Sequence, residues 1–124
     1  MLRLLLLRHA KATWPAGILD LDRPLAPRGQ NAALLMGNYM RSEFLAPDLA
    51  LVSPARRTQE TWERVQPIIG EVQTRQDGRI YEAPVARLLN VLQEVEPEAR
   101  TVLMIGHNPG FEELASLLIG EGDM

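Results

Sequence analysis

With 124 residues and a formal net charge of −3, the chain is long enough for one domain with its own core and lacks the basic excess of a nucleic-acid binder. It contains no cysteine, which excludes disulfides, a thiol nucleophile and thiolate metal sites. No apolar stretch approaches membrane-spanning length. The opening Met1–Leu7 run is too short for a signal-peptide core and leads directly into Arg8-His9, so a cytoplasmic protein with no membrane partner is expected.

Taken in chain order, strand and helix patterns alternate. A first strand is expected over Leu2–Leu7 and a helix over Pro27–Phe44, with Ala32, Leu35, Met36, Tyr39 and Met40 on its inner face. Pro27 suits a first helical position, whereas Ala26 is a poor N-cap. A second strand covers Leu49–Val52. The helix over Ala55–Ile68 that follows turns Thr58, Trp62, Val65 and Ile69 inward. A weak strand lies around Val72–Thr74, with a turn at Asp77-Gly78. Pro84–Val95 is helical, with Val85, Leu88, Leu89 and Leu92 as its stripe. A last strand over Thr101–Ile105 precedes a helix over Gly110–Ile119, with Phe111, Leu114, Ala115 and Leu118 inward. This alternation implies α/β architecture: three α/β/α layers around a mainly parallel central sheet, in a single domain over 1–124. Lys11–Pro24 has no periodicity. A connection of that length forms either a wall or lid of a site or a surface excursion.

The chemistry gathers at the strand exits. The chain has only two histidines, and each follows a strand: His9 after Arg8, His107 after Gly106. Ligands of parallel sheets bind outside the carboxyl ends of the strands, so both rings and at least two arginines are expected at one sheet edge. Arginine binds phosphate bidentately, and neutral imidazole is a nucleophile. Arg8, at the end of a buried strand, would need a charged partner, which a phosphate supplies. Arg56 and Arg57 open a helix, where a bound anion would offset the macrodipole; Ser53 and Pro54 read as its cap and first turn. The bend Gly106-His107-Asn108-Pro109-Gly110 lets backbone approach a ligand. Neither nucleotide-binding glycine loop is present, nor His-Glu-x-x-His, nor a Gly-x-Ser-x-Gly elbow, and no ligand cluster for zinc or magnesium is visible. The pattern points to phosphoryl transfer with a histidine nucleophile, without metal or cofactor.

Four segments then carry a resemblance: Arg8-His9-Ala10-Lys11-Ala12; Asp22-Arg23-Pro24-Leu25 with Arg28-Gly29; Ser53-Pro54-Ala55-Arg56-Arg57-Thr58-Gln59-Glu60-Thr61; and Gly106-His107-Asn108-Pro109-Gly110. In this order they resemble the histidine phosphatase (phosphoglycerate-mutase-like) superfamily, and more narrowly its small bacterial phosphohistidine phosphatase branch. The resemblance implies His9 as nucleophile, with Arg8, Arg57 and His107 completing a phosphate pocket. It selects Arg57, not Arg56, as the second arginine. Arg23 and Asn108 are further candidates for substrate binding. Larger members carry a general-acid carboxylate before the third helix, and Glu82 is the nearest candidate here. Members also continue past the fourth helix with strand material, so a C-terminal strand region is expected beyond Met124.

On this reading His9 Nε2 attacks phosphorus while its other nitrogen donates to a backbone carbonyl. Arg8, Arg57 and a protonated His107 clamp the equatorial oxygens. Water then hydrolyses the phosphoenzyme. The expected partner is a phosphorylated protein histidine or a small phosphorylated substrate. Two other readings stay open: a phosphatase or mutase of small metabolites, and a non-catalytic module that binds phosphorylated partners.

Overall fold

The computed structural model describes residues 2–122. Strands β1 (Arg3–Arg8), β2 (Leu49–Val52), β3 (Gln73–Gln76) and β4 (Thr101–Gly106) form one sheet in the order β1-β4-β2-β3, and all three pairings are parallel. Helices α1 (Pro27–Ser42), α2 (Arg56–Ile69), α3 (Val85–Gln93) and α4 (Gly110–Gly122) cover the two faces. Alternate side chains of each central strand serve opposite layers. Ala50, Val52, Leu103 and Ile105 pack with Met40, Trp62 and Val65 of α1 and α2. Leu49, Leu51, Val102 and Met104 pack with Leu88, Val91, Phe111 and Leu114 of α3 and α4. Burial on both faces is why β2 and β4 are unbroken apolar runs. β3, at an edge, is polar and exposed throughout.

The register positions the chemistry. Arg8 of β1 lies opposite Gly106 of β4, and Val52 of β2 opposite Ile105. The next residues, His9, His107 and Ser53, therefore emerge together or one step apart. Backbone bonds hold the exits level: His9 N–H donates to the Gly106 carbonyl (3.0 Å) and Ser53 N–H to the Ile105 carbonyl (3.0 Å).

Some expectations are corrected. The inner face of α1 is Gly29, Ala33, Gly37 and Met40; Leu35 and Tyr39 are 69% and 56% exposed, and Ala32 also faces outward. The cause is close helix packing: a Cβ on Gly37 would stand 2.8 Å from Ile68 Cδ1 of α2. Small residues therefore win the contact and larger ones are rotated to the surface. The helix ends at Ser42 rather than Phe44, where the chain turns with Phe44 at φ 56°. Leu118 of α4 is 39% exposed, because Phe111 and Leu114 already fill the space against the sheet. The N-cap residue of α2 is Ala55 rather than Ser53; the Ser53 hydroxyl accepts from Ala55 N–H (3.3 Å) and also meets His107 in the site.

Candidate active site

His9 leaves β1 half-buried, and its ring is fixed at one nitrogen. Nδ1 lies 2.8 Å from the Ala10 carbonyl, which can only accept, so Nδ1 carries the proton and Nε2 the lone pair. The expected backbone acceptor is thus Ala10. Thr61 of α2 steadies this turn by accepting from Ala10 N–H (3.1 Å) while donating to the Arg57 carbonyl (2.7 Å). Burial pushes the His9 pKa down from the ordinary 6.5; the Ala10 carbonyl opposes this, and the charges of Arg57, Arg8 and Arg23 add to the lowering.

His107, 3% exposed, leaves β4 with the opposite arrangement. Its Nε2 meets Ser53 Oγ at 2.8 Å and its Nδ1 faces Arg57 Nη2 at 3.3 Å. A guanidinium only donates, so Nδ1 holds the lone pair and Nε2–H donates to Ser53. Burial, then the Arg57 charge, then His9, hold its pKa at about 3. In this arrangement His107 is neutral: burial and the Arg57 charge outweigh the opposing pull of the Asp20 carboxylate. The two rings lie 5.4 Å apart.

Arg57 sits at the first turn of α2, 2% exposed, at the centre of the group. Nε donates to His9 Nε2 (3.3 Å), Nη1 to the Asp20 carbonyl (2.7 Å), and Nη2 faces Asp20 Oδ2 (3.1 Å), Glu82 Oε1 (2.9 Å) and His107 Nδ1. Arg56, one residue earlier, points to solvent and pairs with Glu60 (2.8 Å). One helical residue turns a side chain by about 100°, which separates the two.

Glu82 is brought in by backbone shape. It stands in the left-handed region at φ 50°, between a short 3-10 turn at Gly78–Ile80 and α3. The turn after β4 presses against its neighbour: a Cβ on Gly110 would lie 2.1 Å from the Ala83 carbonyl. Glu82 Oε1 ends 3.8 Å from His107 Nδ1.

The remaining candidates divide. Arg8 is exposed and forms no ion pair among the described residues; β1 lies at the edge of the described sheet, so Arg8 is not the buried arginine expected from the sequence. Its charge nonetheless acts on His9. Arg23 comes close through Asp20 Oδ1 (3.1 Å) and lies over the Trp14 ring. Asn108 turns away: its Oδ1 accepts from Glu112 N–H (3.2 Å) and its Nδ2 reaches the Glu112 carboxylate (3.1 Å), so it serves the start of α4.

Sequence reasoning missed Asp20 and Tyr81. Asp20 lies in the unpatterned Lys11–Pro24 connection, on a 3-10 turn at Asp20–Asp22. Burial would raise its pKa, but hydrogen bonds from Tyr81, Arg23 and Arg57 outweigh this and hold it at about 2. Tyr81 donates its hydroxyl to Asp20 Oδ2 and meets the His107 ring edge-on. Nothing in the pattern distinguishes Asp20 from Asp22, so only the direction of the loop as a site wall was readable. Among the described residues no group of three or more metal-binding side chains is present, and no helix is long and apolar enough to cross a membrane.

The model of the histidine phosphatase superfamily (branch 1) matches residues 4–101. The chain belongs to this family. It is 36% identical over 112 residues to the uncharacterized protein MT1313 of Mycobacterium tuberculosis, covering 90% of this chain and 69% of that one. A candidate phosphohistidine phosphatase SixA from Agrobacterium tumefaciens superposes with a TM-score of 0.88 at 31% identity, over 95% of this chain and 77% of the other. A protein histidine phosphatase SixA solved with tungstate gives a TM-score of 0.82 at 26% identity, over 91% and 74% of the two chains. The fold is accordingly phosphoglycerate-mutase-like, and this histidine phosphatase is an enzyme that acts on phosphorylated substrates.

Proposed function

We propose that the chain removes phosphoryl groups from protein phosphohistidine through a covalent phosphohistidine on His9. The observation that carries this is the aim of His9: its Nδ1–H is tied to the Ala10 carbonyl, and its Nε2 lone pair points to the Arg57 guanidinium, where a phosphoryl group would be bound. Nε2 attacks phosphorus as the bond to the leaving nitrogen breaks. Arg57, with Arg8 and Arg23 around it, offsets charge on the equatorial oxygens. A bound dianion between the rings would raise the pKa of His107, letting it donate to a phosphoryl oxygen. Water attacks the phosphoenzyme and releases phosphate, and His9 is restored. The likeness to SixA chains, one solved with the tetrahedral oxyanion tungstate, supports this substrate class. A phosphohistidine that carries a proton on its other ring nitrogen leaves as neutral imidazole, so a dedicated acid is less necessary than for an alkoxide.

A second reading, a phosphatase of small phosphate esters, is favoured by one observation: the Glu82 carboxylate lies beside Arg57, where a proton donor to an alkoxide could stand. One experiment separates the two. Turnover is compared on a phosphohistidine protein, on sugar phosphates and on an aryl phosphate, with rapid quench to trap an acid-labile, base-stable phosphoenzyme. Fast release from phosphohistidine protein with slow release from sugar phosphates is expected. The reverse preference rejects the first reading, and binding without turnover of any substrate rejects both.

A further inference from the structure

We propose that Asp20 is the positioning residue for Arg57: it holds the far edge of the guanidinium so that the edge facing both histidines is presented to the phosphoryl group. This rests on the reading of Arg57 as the phosphate clamp.

A planar guanidinium offers two forked edges, one made by Nε–H with an Nη2–H, the other by an Nη1–H with the second Nη2–H. The partners of Arg57 sort onto them. Nη1 goes only to the Asp20 carbonyl, at 2.7 Å, and Asp20 Oδ2 takes the Nη2–H beside it, at 3.1 Å. One residue therefore grips the outer edge twice, with backbone and side chain. The other partners are His9 Nε2 and His107 Nδ1, longer at 3.3 Å each, and Glu82 Oε1 at 2.9 Å, on a side chain that is 49% exposed against 30% for Asp20. Those contacts can yield to a phosphate oxygen pair while the outer grip stays.

Asp20 is itself held from two further sides. Tyr81 donates to Oδ2 and Arg23 Nη1 donates to Oδ1 at 3.1 Å. Arg23 in turn donates through Nε to the Thr13 carbonyl (3.2 Å), which ties the 3-10 turn to the rest of its loop. With a pKa of about 2, the carboxyl stays ionised at neutral pH and does not serve as a proton donor. Its contribution is orientation, and misplacing a clamp by an ångström is enough to cost about 100-fold.

The test is a double-mutant cycle. Asp20→Ala and Arg57→Ala are made singly and together, and kcat/KM for an aryl phosphate is read in single turnover with excess enzyme. Asp20→Ala alone is expected to lower it about 100-fold. In the Arg57→Ala background the same change is expected to cost less than about threefold. Asp20→Asn, which keeps one oxygen to accept from Arg57, should fall between wild type and Asp20→Ala. If Asp20→Ala lowers the melting temperature enough to blur the result, Tyr81→Phe removes only the hydroxyl behind the carboxylate. Its smaller loss must likewise disappear without Arg57. A loss from Asp20→Ala that is undiminished without Arg57, or no loss at all, overturns the proposal while leaving Arg57 as the clamp. An Arg57→Ala enzyme of wild-type activity overturns the clamp and this proposal with it.

Discussion

The exits of β1 and β4 each deliver one histidine to the same arginine, yet the two rings carry their protons on opposite nitrogens. At β1, an edge strand, the ring is half-buried and held by a backbone carbonyl one residue away, Ala10. At β4, a central strand, the ring is buried and held by Ser53 of the neighbouring exit. A nucleophile has to reach substrate and move with phosphorus, so the more open exit suits it. A fixed hydrogen-bonding wall can be sealed in. The lesson is that equivalent positions in sequence acquire different chemistry from the partners each exit meets, Ala10 at β1 and Ser53 at β4.

The comparison breaks most sharply under alanine. His9→Ala is expected to abolish the phosphoenzyme and lower kcat/KM on the order of 10⁴-fold or more, as loss of a nucleophile does. His107→Ala should slow phosphoenzyme formation but leave the label on His9. Rapid quench and mapping of the labelled residue check both. Label in the His9→Ala enzyme would show that the two roles are reversed or shared. Next in size is the arginine both rings face. Arg57→Ala should cost about 2–5 kcal/mol of transition-state stabilisation, the range for breaking a buried charge pair. Arg56→Ala, which removes an exposed pair with Glu60, should change stability by less than about 1 kcal/mol and turnover hardly at all. Equal losses from the two would refute the register at the start of α2.

Protonation sharpens the comparison further, because a chain with only two histidines gives two sets of ring signals. Ring ¹⁵N spectra should show an Nδ1–H tautomer for His9 and an Nε2–H tautomer for His107. Both pKa values lie below 6.5 in the folded chain, that of His107 at about 3, so at pH 6 the His107 ring should remain neutral and His9 should be less protonated than a free imidazole. Unfolding returns them to the ordinary value. Stability is therefore full above pH 6.5 and falls as pH drops from there towards about 3, where folded His107 protonates. In Arg57→Ala the His9 pKa should rise, since a cation beside the ring is gone. Two protonated rings at pH 6 in the free enzyme would contradict the assignment.

Much of this arrangement was legible because parallel strands announce themselves. Leu4–Leu7, Leu49–Val52 and Val102–Ile105 are apolar without alternation, and the residues after such runs must lie at one edge. That places His9, His107 and Arg57 from pattern and resemblance. The inner face of α1 was misread because hydrophobicity ranks Leu35 and Tyr39 above Gly37, whereas the packing distance to Ile68 selects the residue with no side chain. The neutral state of His107 without a bound anion was not legible, because the sequence does not show how deeply the ring is buried beside Arg57. Asp20 was unreadable because a loop has no period, and its role depends on meeting Arg57, 37 residues away in the chain.

The smallest expected effect belongs to Glu82, the side chain that joins the two halves of the comparison by touching Arg57 and approaching His107. Proximity alone fits a proton donor, but it also fits a carboxylate that fills the inner edge of Arg57 until substrate arrives. The two differ in how they treat leaving groups. A general acid is worth about 10²–10⁴-fold where an alkoxide departs and far less where the leaving group is good. Glu82→Gln keeps an oxygen that can accept from Arg57 and removes the transferable proton, so it isolates the acid role. With phosphohistidine as the substrate class, the variant should lose little, and by a similar factor, on phosphohistidine, an activated aryl phosphate and an alkyl phosphate. A loss confined to the alkyl phosphate would make Glu82 the acid and move the enzyme to small phosphate esters. In that event the left-handed backbone at φ 50° would be the strain that aims it, of a size, about 1–3 kcal/mol, that native packing can hold.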